Sequence, residues 1–243
     1  MTMNPEEAAR ASTDAVSYLP AGFMLAGSTY KRGGELGFDG VDFYTAGRGG
    51  ALGDVDGMVV AAAFVFFNPD SIVAAWERTR PLMSRRETAE AFLGCLYTWA
   101  HRHLPDEVDY ARLAELLGRV NDAASPSCAP LFAGWKAMPE SSDTKELALQ
   151  RMNVLRELRG AVHGASVLAA GLEPLEAVII KTPFMAEVFG WAEPYPDVEA
   201  HHDKWEQAEM STNRILARAY SVLDASELSQ LVDLAGTAHK GVS

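Results

Sequence analysis

Two stretches of the sequence combine arginine with a second polar group that could bind a ligand or move a proton. Arg159 and His163 are four residues apart, so their side chains share one face if a helix continues through Gly160. Histidine can act as a proton shuttle, a haem ligand or a contact to an anionic ligand, and arginine supplies a fixed charge. This pair is a candidate functional site; the alternative is a pair of structural groups at a helix crossing.

The first half of the chain offers Tyr44 and Arg48, the latter within a Gly-Arg-Gly-Gly loop at residues 47–50. Glycine lets the backbone approach a ligand closely, and Arg48 could clamp a carboxylate or phosphate. The glycine spacing misses the dinucleotide-binding fingerprint by one residue, and Asp54 and Asp56 stand where a pyrophosphate would bind. Dinucleotide binding is therefore excluded, and Arg48 either contacts another ligand or pairs with an acidic neighbour.

Aromatic residues are frequent in the same part of the chain and could line an apolar pocket around these polar groups. A small-molecule site is usually an apolar cleft with a few polar side chains that orient the ligand. The alternative is that the aromatic side chains only fill the core. The sequence thus predicts a ligand-binding site formed by Tyr44, Arg48, Phe67, Asn68, Arg159 and His163.

Motifs for metal binding or known catalytic chemistry are incomplete. Glu199 and His202 share a helix face, which Glu206 and Glu209 extend, but a di-iron site needs a second Glu-x-x-His helix and the chain has none. Nucleophile-elbow, P-loop and His-Glu-x-x-His motifs are also missing from the sequence. We predict no metal site and leave the cofactor open.

The elements that position these residues are predicted to be helices. Helical apolar spacing covers residues 87–103, 109–121, 144–159, 198–220 and 225–235, and strand signals are scarce. Dense glycine between residues 27 and 53 predicts turns and close backbone approach, and the prolines of 190–197 predict an extended strap. The fold class is mostly α, a helical bundle of two packed halves (residues 1–124 and 143–243) that could also form one continuous domain.

The second half contains the outline of a helix-turn-helix. Residues 165–170, Gly171-Leu172 and 174–181 predict a helix, a tight turn and a second helix. A DNA-reading helix needs groups such as Arg or Asn near its start, whereas Glu173 and Glu176 stand here. The chain also has 33 acidic against 21 basic residues and a formal charge of −12. Both features predict that it does not bind nucleic acid.

Several of these motifs together resemble a known family. They are residues 44–53, Phe67-Asn68-Pro69, the arginine-glycine-histidine helix of 155–163, and 168–172. In this combination they are similar to an uncharacterised actinobacterial family that is labelled helix-turn-helix by fold, over roughly residues 15–182. The resemblance implies the fold, and its label suggests a transcriptional regulator. The C-terminal third departs from the expected winged-helix ending.

The remaining features concern compartment and assembly. The N-terminus lacks an apolar signal core, and the longest apolar run, 58–67, is too short to span a membrane. Cys95 and Cys128 are far apart, which fits a reducing compartment, so we predict a cytoplasmic protein.

The main functional prediction is a homo-oligomeric, dimeric protein that binds a small, partly apolar molecule and not DNA. The alternatives are a haem- or histidine-dependent enzyme using His163, a transcriptional regulator, and a structural subunit of an assembly.

Overall fold

The computed structural model describes residues 2–242, and within them the chain forms α-helices joined by turns and irregular segments, with no β-strand. The predicted mostly-α helical bundle is therefore confirmed. The helices are α1 (Pro5–Ala11), α2 (Thr13–Met24), α3 (Gly27–Glu35), α4 (Asp42–Gly49), α5 (Gly57–Phe64), α6 (Pro69–Thr79), α7 (Arg85–His103), α8 (Tyr110–Ala123), α9 (Pro130–Lys136), α10 (Thr144–Ala169), α11 (Pro174–Lys181), α12 (His202–Tyr220) and α13 (Ala225–Lys240).

Side-chain caps fix where many of these helices begin. Asn4 accepts hydrogen bonds from the first-turn amides of α1, and Pro5 occupies the first helical position. Ser84 and Glu87 form a capping box at the start of α7, and Asp224 caps α13. These interactions lie within three residues of each other, so the local sequence determines the helix starts.

The long helix α10 lies at the centre of the bundle. It packs against α2, α7, α8, α9 and α12, because Leu149, Met152, Leu155 and Leu158 are all buried on its surface. One apolar core joins residues from Ala8 to Ala238 and so includes side chains from both ends of the chain. The division into residues 1–124 and 143–243 stays a prediction.

The glycine-rich stretch around Arg48 is helical, so the predicted loop at residues 47–50 is wrong. Gly47 and Gly49 belong to α4, where they allow close packing. A Cβ on Gly47 would lie 2.6 Å from a ring atom of Phe92, and one on Gly49 would lie 3.0 Å from the ring of Trp76. These glycines bring α4 against two aromatic side chains, and α4 carries Arg48 into the interior.

Helix α10 runs without a break through both of its glycines, so the predicted end near Arg159 is also wrong. Gly164 packs closely on Val65, since an added Cβ would lie 2.7 Å from its side chain. An added Cβ on Gly160 would meet nothing within 4 Å. Because the helix continues, Arg159 and His163 do lie on one face, as their spacing predicts.

The segment between α11 and α12 is irregular and is held against the first half of the chain. The backbone amide of Asn68 donates to the carbonyl of Phe189 at 2.8 Å, and the indole of Trp191 donates to the carbonyl of Phe66 at 2.9 Å. Residues 190–197 are non-helical, as the prolines predict. These contacts place residues 182–190 (the return segment) beside the α5–α6 connection.

Within residues 2–242, no single helix has both the length and the apolar composition to cross a membrane. Helices α10 and α11 meet these two criteria only when taken together, and they are bent by 108° relative to each other.

Candidate functional site

A cavity of about 750 Å³ lies between α2, α4, α6, α10 and the return segment. Its wall is mainly apolar and aromatic, with a few polar side chains, which is the composition expected of a small-molecule site. Five of the six residues that the sequence singled out line it: Tyr44, Arg48, Phe67, Arg159 and His163. Residues 44–48 and 159–163 are far apart in the chain, and the fold brings them to one cavity.

The sixth predicted residue, Asn68, has a different position. Its Oδ1 accepts hydrogen bonds from the amides of Asp70 and Ser71 at 3.0 and 3.2 Å, so it caps α6. Its side chain is not part of the cavity wall. The Asn68-Pro69 sequence is itself a helix-start signal, which accounts for this position without a ligand.

Arg48 is buried and paired inside the protein. Its Nε and Nη2 donate to the two carboxylate oxygens of Glu157 at 2.9 and 2.7 Å, and its Nη1 donates to the Tyr44 hydroxyl at 3.2 Å. The guanidinium also lies over the ring of Phe64, 4.4 Å from its centroid. Of the two alternatives for Arg48, contact with a ligand or pairing with an acidic side chain, the structure shows the pairing. Arg48 also forms part of the cavity wall.

The two charges of this pair stabilise each other. Burial alone would lower the pKa of Arg48, but the charge of Glu157 and the hydrogen bonds outweigh it, and the pKa is raised. For Glu157 burial would raise the pKa, and the charges and hydrogen bonds of Arg48 and Arg156 outweigh it, so the pKa is lowered. Both groups are therefore ionised at neutral pH.

His163 is buried and its tautomer follows from its hydrogen bonds. The Thr212 hydroxyl donates to the carbonyl of Ala208 at 2.7 Å and lies 3.0 Å from His163 Nδ1, and a carboxylate oxygen of Glu209 lies 3.6 Å from the same nitrogen. A proton on Nδ1 suits both neighbours, because the hydroxyl can then accept it and the carboxylate is attracted to it. Nδ1 therefore carries the proton, and Nε2 is an unprotonated acceptor. Nε2 is buried and has no hydrogen-bond partner within residues 2–242. The rings of Phe66 and Trp205 lie beside the imidazole.

Burial, together with the positive charge of Arg159, lowers the pKa of His163 to about 3. The imidazole is therefore neutral across the physiological range. A neutral imidazole with a free Nε2 can accept a hydrogen bond. The haem- or histidine-dependent enzyme stays a prediction.

This neutral state gives a testable pH dependence. The folded-state pKa of about 3 lies below the unfolded value of 6.5, so the unfolded chain binds the proton first. The stabilising contribution is complete above pH 6.5 and is lost as the pH falls towards 3, at up to about 1.4 kcal/mol per pH unit. In the His163→Gln variant we expect the free energy of unfolding, measured in urea, to fall less steeply between about pH 6 and about pH 4.

The matched control for this measurement is His202→Gln, because His202 is exposed on α12. Its pH profile should follow that of the unaltered protein. Equal slopes for His163→Gln and the unaltered protein would show that burial does not keep this imidazole neutral.

Two further arginines of α10, Arg156 and Arg159, line the cavity, and the sequence pattern predicts only Arg159 as a site residue. Arg159 donates from Nη2 to Glu209 at 2.8 Å, while its Nε is buried without a partner within residues 2–242. Arg156, which we did not predict as a site residue, donates to the Ser17 carbonyl and to Glu157 at 3.3 and 3.0 Å. Arg156 lies seven residues before His163, about two helical turns, so the two side chains share one helix face. This spacing could have identified Arg156 from the sequence.

One surface cluster could be compared with a metal site. Ligand atoms of His101, Asp143 and Glu146 lie within 4.8 Å of each other, and the first two residues are exposed. Asp143 caps α10 by accepting from two backbone amides, so part of this cluster has a structural role. In the described part of the chain, Glu199 and His202 do not belong to a cluster of three or more metal-ligating side chains.

The helix-turn-helix outline is present at the C-terminal end of α10. Gly171 adopts a positive φ of 74° at the turn, which glycine tolerates best. Helices α10 and α11 are bent by 108°, within the range of helix-turn-helix motifs. Val167, Leu172 and Ala177 form a small apolar cluster with Ala208 of α12, which holds the two helices together.

The acidic residues at the start of α11 are largely engaged within the protein. The Glu176 carboxylate accepts from the Glu173 amide at 2.8 Å and lies 3.1 Å from Nδ1 of His201. Lys204 donates to the carbonyl of Gly171 at 3.1 Å, so a basic side chain lies at the turn, and the exposed Lys181 ends α11. The capping role of Glu176 weakens the sequence-based argument that its carboxylate repels DNA.

These features define an all-α protein with a helix-turn-helix motif beside a large apolar cavity. A family model described as a helix-turn-helix family matches residues 9–210, so the chain belongs to this family. The family that the motifs resemble is thereby confirmed as one carrying a helix-turn-helix label. None of the curated proteins and none of the solved structures matches the chain.

Family membership corrects two predictions from the sequence. The main functional prediction is wrong because it excludes DNA binding, and the exclusion of nucleic acid as a partner is wrong for the same reason. Both relied on the net charge and on the acidic start of α11. Net charge describes the whole surface, whereas a helix-turn-helix contacts DNA through a small part of it. The transcriptional-regulator alternative fits the family better.

Proposed function

We propose that this chain is a cytoplasmic transcriptional regulator that binds duplex DNA through its helix-turn-helix. The observation that carries the proposal is the α10–turn–α11 unit, with its 108° bend, inside the range matched by the helix-turn-helix family. In such motifs the second helix enters the major groove. Helix α11 is the second helix here, with Leu175, Ile179 and Lys181 incompletely buried on its surface.

The charge distribution determines what kind of DNA binding to expect. The formal charge of −12 opposes nonspecific attraction of the whole molecule to phosphate, so phosphate contacts have to come from basic side chains near α11. Lys181 at the end of α11 is exposed and forms no ion pair within residues 2–242. We therefore expect binding to depend on base contacts and to weaken only shallowly with salt.

The proposal is tested by incubating the protein with fragments of its source genome and sequencing those that it retains at low salt. We expect enrichment of a common sequence; an inverted repeat would indicate a dimer, which we also propose. On the enriched duplex, Lys181→Ala should weaken binding and reduce the slope of log affinity against log salt by about 1.

Lys240→Ala provides the matched control, since Lys240 is an exposed lysine at the end of α13 and the net charge changes equally. Its affinity and salt slope should equal those of the unaltered protein. If no sequence is enriched, or if both variants bind alike, DNA is not read through α11.

A further inference from the structure

The structure carries a second inference, which does not depend on DNA binding. We infer that the cavity binds an elongated apolar molecule with a carboxylate at one end and a hydroxyl group at the other. The carboxylate binds at Arg156 and the hydroxyl donates a hydrogen bond to Nε2 of His163.

The spacing of the polar wall sets the length of this ligand. Arg156, Arg159 and His163 stand at positions i, i+3 and i+7 of α10 and all line the cavity. They form one stripe along a helix face, and its ends are about 10 Å apart at a rise of 1.5 Å per residue. A ligand that contacts both ends is therefore extended.

An excess of positive charge at one end of the stripe favours an anion. Glu157 already receives two hydrogen bonds from Arg48, and Arg156 shares the same carboxylate. Two guanidinium groups thus have one counter-charge, and Nη2 of Arg156 forms no hydrogen bond within residues 2–242. The only carboxylate among the described lining side chains, Glu187, is exposed, so solvent screens its charge. Guanidinium binds carboxylate by strong charge-assisted hydrogen bonds.

The other end of the stripe requires a hydrogen-bond donor. His163 is 5% exposed, and its Nε2 is an acceptor without a partner in the described chain. Buried polar groups are nearly always hydrogen-bonded, so an unpaired acceptor in a cavity wall points to an absent partner. Thr212 and Glu209 favour the proton on Nδ1, so the partner has to donate the proton. A hydroxyl group meets this requirement and a carboxylate does not.

The middle of the ligand is apolar, because Arg159, which stands between the two ends of the stripe, already pairs with Glu209 at 2.8 Å. Apart from these polar groups, the wall consists mainly of aromatic and aliphatic side chains, including Phe64, Phe66, Phe67 and Phe189. On the α10 side, Gly160 lies between the two polar ends, and a Cβ there would meet nothing within 4 Å. Gly160 therefore leaves open space where an alkyl or aryl body fits.

The probes are 10-hydroxydecanoate and decanoate, titrated calorimetrically into the full-length protein without DNA. We expect both to bind, with the hydroxy acid about fivefold tighter, which corresponds to one hydrogen bond to a buried acceptor. In His163→Phe this preference should disappear. Arg156→Gln should weaken both acids by about tenfold or more, whereas Arg86→Gln, an equal charge change at an exposed residue of α7, should have no effect.

Gly160 supplies a test that does not remove any polar group. Gly160→Phe fills the open space and should abolish binding of both acids, while Gly160→Ala should bind them as the unaltered protein does. The inference is overturned if neither acid binds to the unaltered protein and neither binds to Gly160→Ala. It is also overturned if the preference for the hydroxy acid persists in His163→Phe. Because no DNA is present, these outcomes are independent of the proposed regulator function.

Discussion

Replacing Glu157 with glutamine should destabilise the protein by roughly 3–5 kcal/mol, one of the two largest effects that we expect. The substitution leaves the Arg48 guanidinium buried without a counter-charge, although it keeps the size of the side chain. Arg48 is 7% exposed, so water cannot replace the lost carboxylate. For a chain of this length the melting temperature should fall by roughly 10 °C, which thermal denaturation would measure.

Two companion variants separate the buried pair from ordinary charge effects. Glu90→Gln removes an exposed carboxylate that pairs with Arg86, and it should change stability by less than about 0.5 kcal/mol. The double replacement Arg48→Met with Glu157→Met removes both buried charges and should recover most of the stability lost in Glu157→Gln. A loss below about 1 kcal/mol in Glu157→Gln would mean that Arg48 finds another partner or reaches solvent.

The second large effect is expected at Gly50, directly after α4. A Cβ at this position would lie 2.3 Å from the backbone carbonyl of Arg85. A backbone atom cannot rotate away as a side chain can, so α4 and α7 would have to separate. We expect Gly50→Ala to reduce the free energy of unfolding by about 3 kcal/mol, measured by urea denaturation.

Gly94→Ala is the control for this change, because Gly94 lies within α7 and an added Cβ would meet nothing within 4 Å. It should stabilise the protein by up to about 1 kcal/mol, the helix-propensity difference between the two residues. A Gly50→Ala variant as stable as the unaltered protein would contradict the close contact between α4 and α7. Since α4 carries Arg48, this contact also determines how Arg48 enters the cavity wall.

The return segment connects the two features on which our proposals depend. It follows α11 directly in the chain and contributes Phe184, Met185 and Phe189 to the cavity wall. Its Phe189 carbonyl accepts from the backbone amide of Asn68, and the Trp191 indole, just after the segment, donates to the carbonyl of Phe66. A molecule in the cavity therefore touches the same segment that ends the proposed DNA-binding helix.

The sequence correctly predicted the helix-turn-helix motif but not the kind of partner that the motif binds. Gly171 and Pro174 signalled the turn and the new helix, and both are present as expected. The acidic residues that follow led to the incorrect exclusion of DNA. The Glu176 carboxylate accepts a hydrogen bond from the Glu173 amide at the helix start and lies beside His201, which is 25 residues further along the chain and could not be placed from the pattern.

By itself, the sequence determined the α-helical class, many helix starts and the common face of Arg159 and His163, because these depend on residues within one or two turns of each other. Only the tertiary structure decided that Glu157 neutralises Arg48 from 109 residues away and that Thr212 helps to fix the His163 tautomer from 49 residues away. It also decided that Gly47 and Gly49 serve helix packing and not a loop. These outcomes depend on which helix faces meet in the core, and local periodicity contains no information about the partner across the interface.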